Sequence, residues 1–265
     1  MKVALLQFNA SADKSDNLRR AVGMATKAVR QGATFILLPE IFNFRGDARQ
    51  RPAFLQAQES IPGDSTAPFI DLARRHKTFF LLGSILEKAP AGRAYNSSVL
   101  INERGAISAK YRKIHLFDAN IGDKIIRESD NFCAGTKPVT AAVGSFKMGL
   151  SICYDLRFAD LYQGYSRRGV DILTVPACFT RKTGEAHWST LLRARAIENL
   201  CYVLAPAQVG MDARGIPAYG HSMIVSPWGE VIAEGSGDKE EIIFGNIKKE
   251  EIKKARQILP GIVRR

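Results

Sequence analysis

The order of elements in this sequence predicts a layered α/β or α+β sandwich, formed by one domain over residues 1–265. Two observations carry the expectation. Short apolar, β-branched runs alternate with amphipathic stretches of helical period, and strands outnumber helices. No internal repeat, low-complexity segment or linker divides the chain. With 265 residues, 46% of them hydrophobic and 24% charged, the chain can bury a sizeable core without a disulfide or metal staple.

Residues 3–8 read as the first strand. Residues 16–31 read as a helix: Leu18, Ala21, Val22, Ala25, Ala28 and Val29 share one face, and Gly32 supplies the stop. Residues 34–38 form a second buried strand that ends at Pro39. A helix over 65–76 and a strand over 79–86 follow, and then residues 97–102 and 106–111 flank Glu103-Arg104-Gly105 as a hairpin. Residues 117–137 read as a loop, long for a compact domain, and such loops are often functional. Further strands are expected at 146–152, 171–175, 202–206, 221–225, 231–234 and 241–246, with helices at 159–168, 185–199 and 248–257.

Lys and Arg number 38 against 26 Asp and Glu, a formal net charge of +12. Such a balance raises the question of nucleic acid or acidic lipid, but the basic residues do not cluster. The densest stretches are Lys248-Lys249 with Lys253-Lys254, interrupted by Glu250 and Glu251, and the terminal Arg264-Arg265; they read as a solvated helix face and a tail. Nucleic acid is therefore not the expected partner, and attraction of small anionic substrates accounts for the charge equally well. Cys133, Cys153, Cys178 and Cys201 include no C-x-x-C pair, which argues against a zinc site or a compact disulfide framework and fits reduced thiols in a cytoplasmic enzyme. Neither a signal peptide nor an apolar run of about 18 residues is present, so no membrane span is expected. Phosphate-loop, H-E-x-x-H and dinucleotide fingerprints are missing, which leaves kinase, metalloprotease and dinucleotide readings without support.

Three strand ends carry reactive side chains. Phe35-Ile36-Leu37-Leu38-Pro39-Glu40 runs out of a buried strand into a carboxylate. The hairpin strand ends in Tyr111-Arg112-Lys113-Ile114-His115, and Ser151-Ile152-Cys153-Tyr154-Asp155 delivers a thiol to a sharp turn before a helix. That last arrangement is similar to a nucleophile elbow, and a helix N-terminus beside it would favour the thiolate. Each residue alone has an ordinary reading: a capping glutamate, a solvated lysine, a buried structural cysteine. Together they complete a reaction, because a thiol needs a base to attack and a donor where the carbonyl oxygen becomes an oxyanion.

These segments resemble the nitrilase superfamily of carbon–nitrogen hydrolases. The resemblance rests on Leu38-Pro39-Glu40, Tyr111-Arg112-Lys113-Ile114-His115-Leu116-Phe117 and Ser151-Ile152-Cys153-Tyr154-Asp155-Leu156-Arg157-Phe158, and extends to Leu259-Pro260. It implies a four-layer α-β-β-α sandwich, usually as a homodimer, and no metal or organic cofactor. It implies Glu40 as general base, Lys113 as oxyanion partner, Cys153 as the nucleophile that forms a thioester, and a second carboxylate, best matched by Glu128. The family's loop pattern there often ends in Pro-Gly, where this chain has Cys133-Ala134-Gly135. The backbone N–H of Tyr154 is the second expected oxyanion donor.

Tyr154-Asp155-Leu156-Arg157-Phe158, Thr183-Gly184-Glu185-Ala186-His187-Trp188 and Tyr219-Gly220-His221-Ser222-Met223 are similar to the amidases of α-keto acid amides. Deaminated glutathione, which would give α-ketoglutarate, is the favoured substrate, with α-ketoglutaramate (an omega-amidase reaction) and N-carbamoyl compounds as alternatives. An anionic α-keto acid amide suits an arginine fork, and the resemblance points to Arg157, Phe179 and Thr183 as substrate contacts. The competing readings are a salt bridge from Arg157 to Asp155 or Glu198, and core packing for Phe179. A Cys153–histidine dyad through His115 or His187 lacks a motif that would place either ring by the thiol. Cys178 and Cys201 read as buried and inert, and Trp188 and Trp228 as packing anchors. A reading from another class is an inactive binding protein on the same scaffold.

Overall fold

The structure, a computed structural model, describes residues 1–121 and 124–261. In chain order its elements are β1 (Lys2–Gln7), α1 (Lys14–Arg30), β2 (Phe35–Leu37), α2 (Arg51–Ala57), α3 (Ala67–His76), β3 (Phe79–Lys88), β4 (Ala94–Ile101) and β5 (Ile107–Arg112). There follow β6 (Asp118–Ile121), β7 (Lys124–Arg127), β8 (Phe132–Cys133), β9 (Thr140–Val143), β10 (Phe146–Leu150), α4 (Ala159–Arg167), β11 (Ile172–Thr174) and α5 (Arg181–Asn199). The chain closes with β12 (Tyr202–Ala205), β13 (Met223–Val225), β14 (Val231–Glu234), β15 (Glu241–Asn246) and α6 (Lys249–Ile258).

Strands from the first half, joined by β15, form one sheet in the order β15-β1-β2-β3-β4-β5, with β8 also on β4. A second sheet runs β14-β13-β12-β11-β10-β9. Parallel strands occupy both sheet centres, β1-β2-β3 and β10-β11-β12. Such strands are covered on both faces and read as continuous apolar runs. Side chains alternate between faces along a strand. Accordingly Val3, Leu5, Phe35 and Leu37 meet Met148, Leu150, Ile172 and Val203 of the other sheet, while Ala4, Leu6, Ile36 and Phe80 pack beneath α1 and α3. Trp188, Leu192 and Ala196 of α5, with Tyr162 and Tyr165 of α4, cover the second sheet. The result is helix, sheet, sheet, helix, the four-layer sandwich that the resemblance implied.

Helix α1 forms where the apolar period predicted it. Asp13 caps it by accepting from the Asp16 N–H at 3.0 Å, and Gly32, at φ 82°, turns the chain out of it. Ala21, Ala25 and Ala28 recur at one-turn spacing, are fully buried, and let the helix approach the sheet closely.

The expected loop at 117–137 is instead mostly structured. It holds the β6–β7 hairpin, a short turn at Glu128–Asp130 and β8. Helix α2 and strand β9 were not anticipated either. Trp228 is half exposed rather than a packing anchor, whereas Trp188 is fully buried and donates its indole N–H to the His221 carbonyl. Arg264-Arg265, read as a tail, lie outside the described residues. Among the described residues no helix is long and apolar enough to cross a membrane.

Candidate active site

Glu40, Lys113 and Cys153 line one cavity. Each is carried there by a strand end, and each strand end is pinned by its own backbone contacts. Glu40 follows β2 through Pro39; its carbonyl accepts from Gln208 Nε2 at 2.8 Å. The next residue, Ile41, has φ 46° and donates its N–H to Ser84 Oγ at 2.8 Å. Lys113 leaves β5 with its N–H on the Asn96 carbonyl at 2.9 Å and its own carbonyl on the Gly135 N–H at 2.7 Å. Cys153 leaves β10 at φ 48°, a left-handed conformation that L-residues avoid and that surrounding contacts must hold. Its N–H donates to the Pro176 carbonyl at 2.9 Å.

The main clamp on this turn is Asp155, which is fully buried. One carboxylate oxygen accepts from the Ile152 N–H at 2.9 Å and from the Tyr111 hydroxyl at 2.7 Å. The other accepts from the His115 N–H at 3.0 Å and sits 2.7 Å from His115 Nδ1. The carboxylate therefore ties the cysteine turn to the segment that carries Lys113. Arg195 adds a second tie by donating from Nε and Nη2 to the Leu156 carbonyl at 3.1 and 2.8 Å.

At the cavity floor the Lys113 ammonium, 2% exposed, lies 3.0 Å from Glu40 Oε1 and 2.8 Å from Glu128 Oε2. Asn96 Nδ2 donates to both carboxylates, at 2.9 Å to Glu40 and 3.2 Å to Glu128. The Cys178 N–H donates to Glu40 Oε2 at 2.8 Å, and the Phe117 N–H to Glu128 Oε2 at 2.6 Å. Burial disfavours the charge on Lys113, but Glu128 and Glu40 outweigh it and hold the ammonium well above the usual lysine range.

Cys153 behaves differently from the thiolate expectation. Burial, then the negative charge of Glu40 to which the thiol hydrogen-bonds, pushes it well above the ordinary cysteine range despite the pull of Lys113. The turn that follows is a single 3₁₀ segment, Cys153–Arg157, too short for a strong helix dipole. The resting group is a neutral thiol with a carboxylate beside it.

Beyond the floor, Tyr154, Arg157, Phe179 and Thr183 line a smaller lobe that also reaches Cys153. The Arg157 guanidinium stands 5.3 Å from the Phe179 ring and 5.8 Å from that of Tyr154, and both terminal nitrogens lie 3.3 Å from His187 Nδ1. Neither Asp155 nor Glu198 takes Arg157 as a partner: Asp155 serves the clamp, and Glu198 pairs with Arg195 at 2.8 Å. Phe179 packs on Trp188 at 4.9 Å and faces the lobe as well. His115 stacks on Phe158 with ring centroids 3.6 Å apart, so both histidines considered for a dyad are engaged elsewhere.

Cys201 is fully buried as expected, but Cys178 is only partly buried and lines both lobes beside Cys153. Sequence reasoning did not single out Asn96, Ser84 or the clamping role of Asp155. For Asn96 the local signal was weak: it stands with Ser97 and Ser98 at the polar start of a strand that turns apolar only at Val99.

Comparison with known proteins places this geometry in a family. The model of the family described as carbon–nitrogen hydrolase matches residues 2–257. The human protein named omega-amidase NIT2 is 39% identical over 260 residues, covering 98% of this chain and 92% of its own. A Synechocystis protein named deaminated glutathione amidase is 40% identical over 268 residues, covering 99% and 97%. Among solved structures, the C. elegans NitFhit protein superposes with a TM-score of 0.90 at 34% identity over all of this chain, which spans 64% of that longer one. Saccharomyces cerevisiae Nit3, described as a member of branch 10 of the nitrilase superfamily, gives 0.88 at 32% identity, covering 98% of this chain and 94% of its own.

Proposed function

The chain belongs to the carbon–nitrogen hydrolase family and hydrolyses amides, and from that premise we propose that Cys153 is its nucleophile, Glu40 its general base and Lys113 its oxyanion partner. The observation that carries this reading is the contact set around Lys113: one buried ammonium bonded to two carboxylates, one of which also bonds the thiol. Glu40 takes the thiol proton as Sγ attacks the amide carbon. Negative charge gathers on the carbonyl oxygen, where the Lys113 ammonium and the Tyr154 N–H hold it; loss of one such donor typically costs about 10²–10³ in rate. Glu40 then gives its proton to the leaving nitrogen as the C–N bond breaks. A water, deprotonated by Glu40, cleaves the thioester and restores the thiol. Glu128 keeps Lys113 charged and aimed throughout.

For the substrate we propose an amide of an α-keto dicarboxylic acid, with the planar fork of Arg157 on the acyl carboxylate and Phe179 and Thr183 beside it. Deaminated glutathione is favoured over α-ketoglutaramate. The two named relatives are equally similar, so the preference rests on Cys201-Tyr202-Val203, Ala207-Gln208 and Tyr219-Gly220-His221-Ser222-Met223. The test is α-ketoglutarate release from both compounds by wild type and Cys153→Ala. Release by wild type alone supports the nucleophile and ranks the substrates; turnover by Cys153→Ala refutes the mechanism. We also propose a homodimer, in keeping with the exposed apolar side chains Ile197, Trp228, Val231 and Ile232, which sedimentation of the full chain checks.

A further inference from the structure

Three cations that the mechanism does not use line a separate cleft at the edge of the first sheet. Strand β5 ends that sheet, and side chains two apart on a strand share a face. Lys110 and Arg112 therefore stand side by side, while Tyr111 between them is buried in the core. The chain after β8 returns along this edge. The Gly135 N–H donates to the Lys113 carbonyl at 2.7 Å, and a Cβ at Gly135 would lie 2.2 Å from the Arg112 carbonyl oxygen. Between β5 and this returning segment lies a cleft of about 410 Å³, whose lining includes Tyr95, Lys110, Arg112, Thr136, Lys137 and Val139.

The charges here are held in place before any ligand arrives. Glu87, buried on β3, accepts from Lys110 Nζ at 2.6 Å and from Arg112 Nε and Nη2 at 2.8 Å each. The Arg112 guanidinium also lies over the Tyr95 ring, 3.7 Å from its centroid. Glu87 balances one of the three positive charges, and no Asp or Glu lines the cleft itself among the described residues. Lys137 is exposed and makes no ion pair among the described residues, where Arg112 Nη1 has no acceptor either. The N–H groups of Thr136 and Lys137 and the Thr136 hydroxyl likewise lack a hydrogen-bond partner among those residues. Two net positive charges with neutral donors beside them match a doubly charged oxyanion. The cleft has room beyond such an ion, and it shares no lining residue with the cavity at Cys153.

We infer that this cleft is a phosphate-binding site, distinct from the catalytic cavity, that takes inorganic phosphate or the phosphate group of a small monoester between Lys110, Arg112 and Lys137. The bound group bridges β5 to the segment 134–137, the two stretches whose mutual hydrogen bond fixes the Lys113 carbonyl. The site does not depend on which amide the enzyme hydrolyses.

Equilibrium dialysis of the full chain against radiolabelled inorganic phosphate, at an ionic strength fixed with sodium chloride, measures the site without any amide substrate. Wild type is expected to bind one phosphate per chain saturably. Lys137→Gln, which removes an exposed side chain with no ion pair and so leaves the fold intact, is expected to weaken binding about 10-fold or more, the loss set by one charge-assisted contact. Arg214→Gln, in the lining of the catalytic cavity, is expected to leave the affinity unchanged. Displacement of the label by glycerol 3-phosphate separates the two sources. Tighter binding than inorganic phosphate assigns the site to a monoester, and equal or weaker binding assigns it to the free ion. Equal affinity in wild type and Lys137→Gln overturns the inference, as does loss of binding in Arg214→Gln, which would put the ion in the catalytic cavity. Binding that does not saturate would show only the general attraction of a basic surface and overturns it too.

Discussion

Replacing Lys113 by methionine removes the one cation at the cavity floor and leaves Glu40 and Glu128 facing each other. Both touch the same ammonium, at 3.0 and 2.8 Å, and both are bonded by the same Asn96 amide. Their carboxylates are therefore within about 6 Å, where two unit charges repel by about 3 kcal/mol at an effective dielectric constant near 20. Removing one partner from a buried ion pair typically costs about 3–5 kcal/mol, which sets the expected destabilisation of Lys113→Met. Adding Glu128→Gln removes the repulsion, so the double variant should regain about 2–3 kcal/mol although it carries one more substitution. Activity should not follow: both variants should stay at least about 100-fold below wild type because the oxyanion donor is gone in each. Urea denaturation followed by the fluorescence of buried Trp188 gives the stability cycle, and amide turnover gives the other half. Additivity of the two substitutions within about 0.5 kcal/mol would refute the coupling, and wild-type turnover by Lys113→Met would refute the assignment of Lys113.

Two further tests address how the floor is held. A Cβ at Gly83 would lie 1.9 Å from the Leu38 carbonyl oxygen and 2.5 Å from that of Pro39. Gly83→Ala should therefore cost about 1–3 kcal/mol and, by shifting Glu40, reduce kcat about 100-fold. Gly23→Ala in α1, with nothing within 4 Å, should instead stabilise by about 0.5–1 kcal/mol, and a Gly83→Ala enzyme with normal kcat would break the proposed link. Glu87 is pulled down to about 2: burial opposes the shift, but Arg112, Lys110 and Ser97 prevail. Its folded-state value is thus depressed, so its contribution is present above about pH 4.5 and fades as pH falls towards 2. Lys110 and Arg112 are 35% and 37% exposed, and solvent screening reduces that contribution to about 1–2 kcal/mol. Glu87→Gln should be less stable than wild type at pH 6 and converge on it near pH 2 in urea titrations; a gap independent of pH would show that the ion pairs carry no net stability.

What was legible in the sequence was whatever local pattern encodes. Parallel strands covered on both faces are apolar runs without alternation, and β1, β2, β10 and β12 were read from those runs. The stop of α1 at Gly32 is local chemistry and was read with the helix, whose span was placed within two residues; its Asp13 cap was not. The region 117–137 failed because its hairpin is short and its partner, β4, lies far back in the chain. Hidden for the same reason were the contacts of Asn96 and Asp155, whose partners are up to 56 residues away. Sequence reasoning sees which side chains can react; it sees poorly which buried amide or carboxylate aims them. The thiolate expectation failed on a competition of magnitudes, since burial and the adjacent carboxylate outweigh one lysine and a single 3₁₀ turn.

That competition explains why two carboxylates share one lysine. At rest the buried ammonium bonds Glu40 and Glu128, and the thiol is neutral. In the proposed attack the thiol proton neutralises Glu40 just as negative charge appears on the carbonyl oxygen beside Lys113. The lysine thus loses one anionic neighbour and gains another, with Glu128 constant throughout. The number of charges at the floor stays the same, so the site needs no new desolvation at the moment of reaction, the condition under which fixed charges lower a barrier most. A thiolate formed in advance by loss of its proton to solvent would stand as a further anion beside Glu40, with only one ammonium to balance three negative groups. A proton kept within the Cys153–Glu40 pair avoids that imbalance, and burial with the adjacent carboxylate favours the thiol as its resting place.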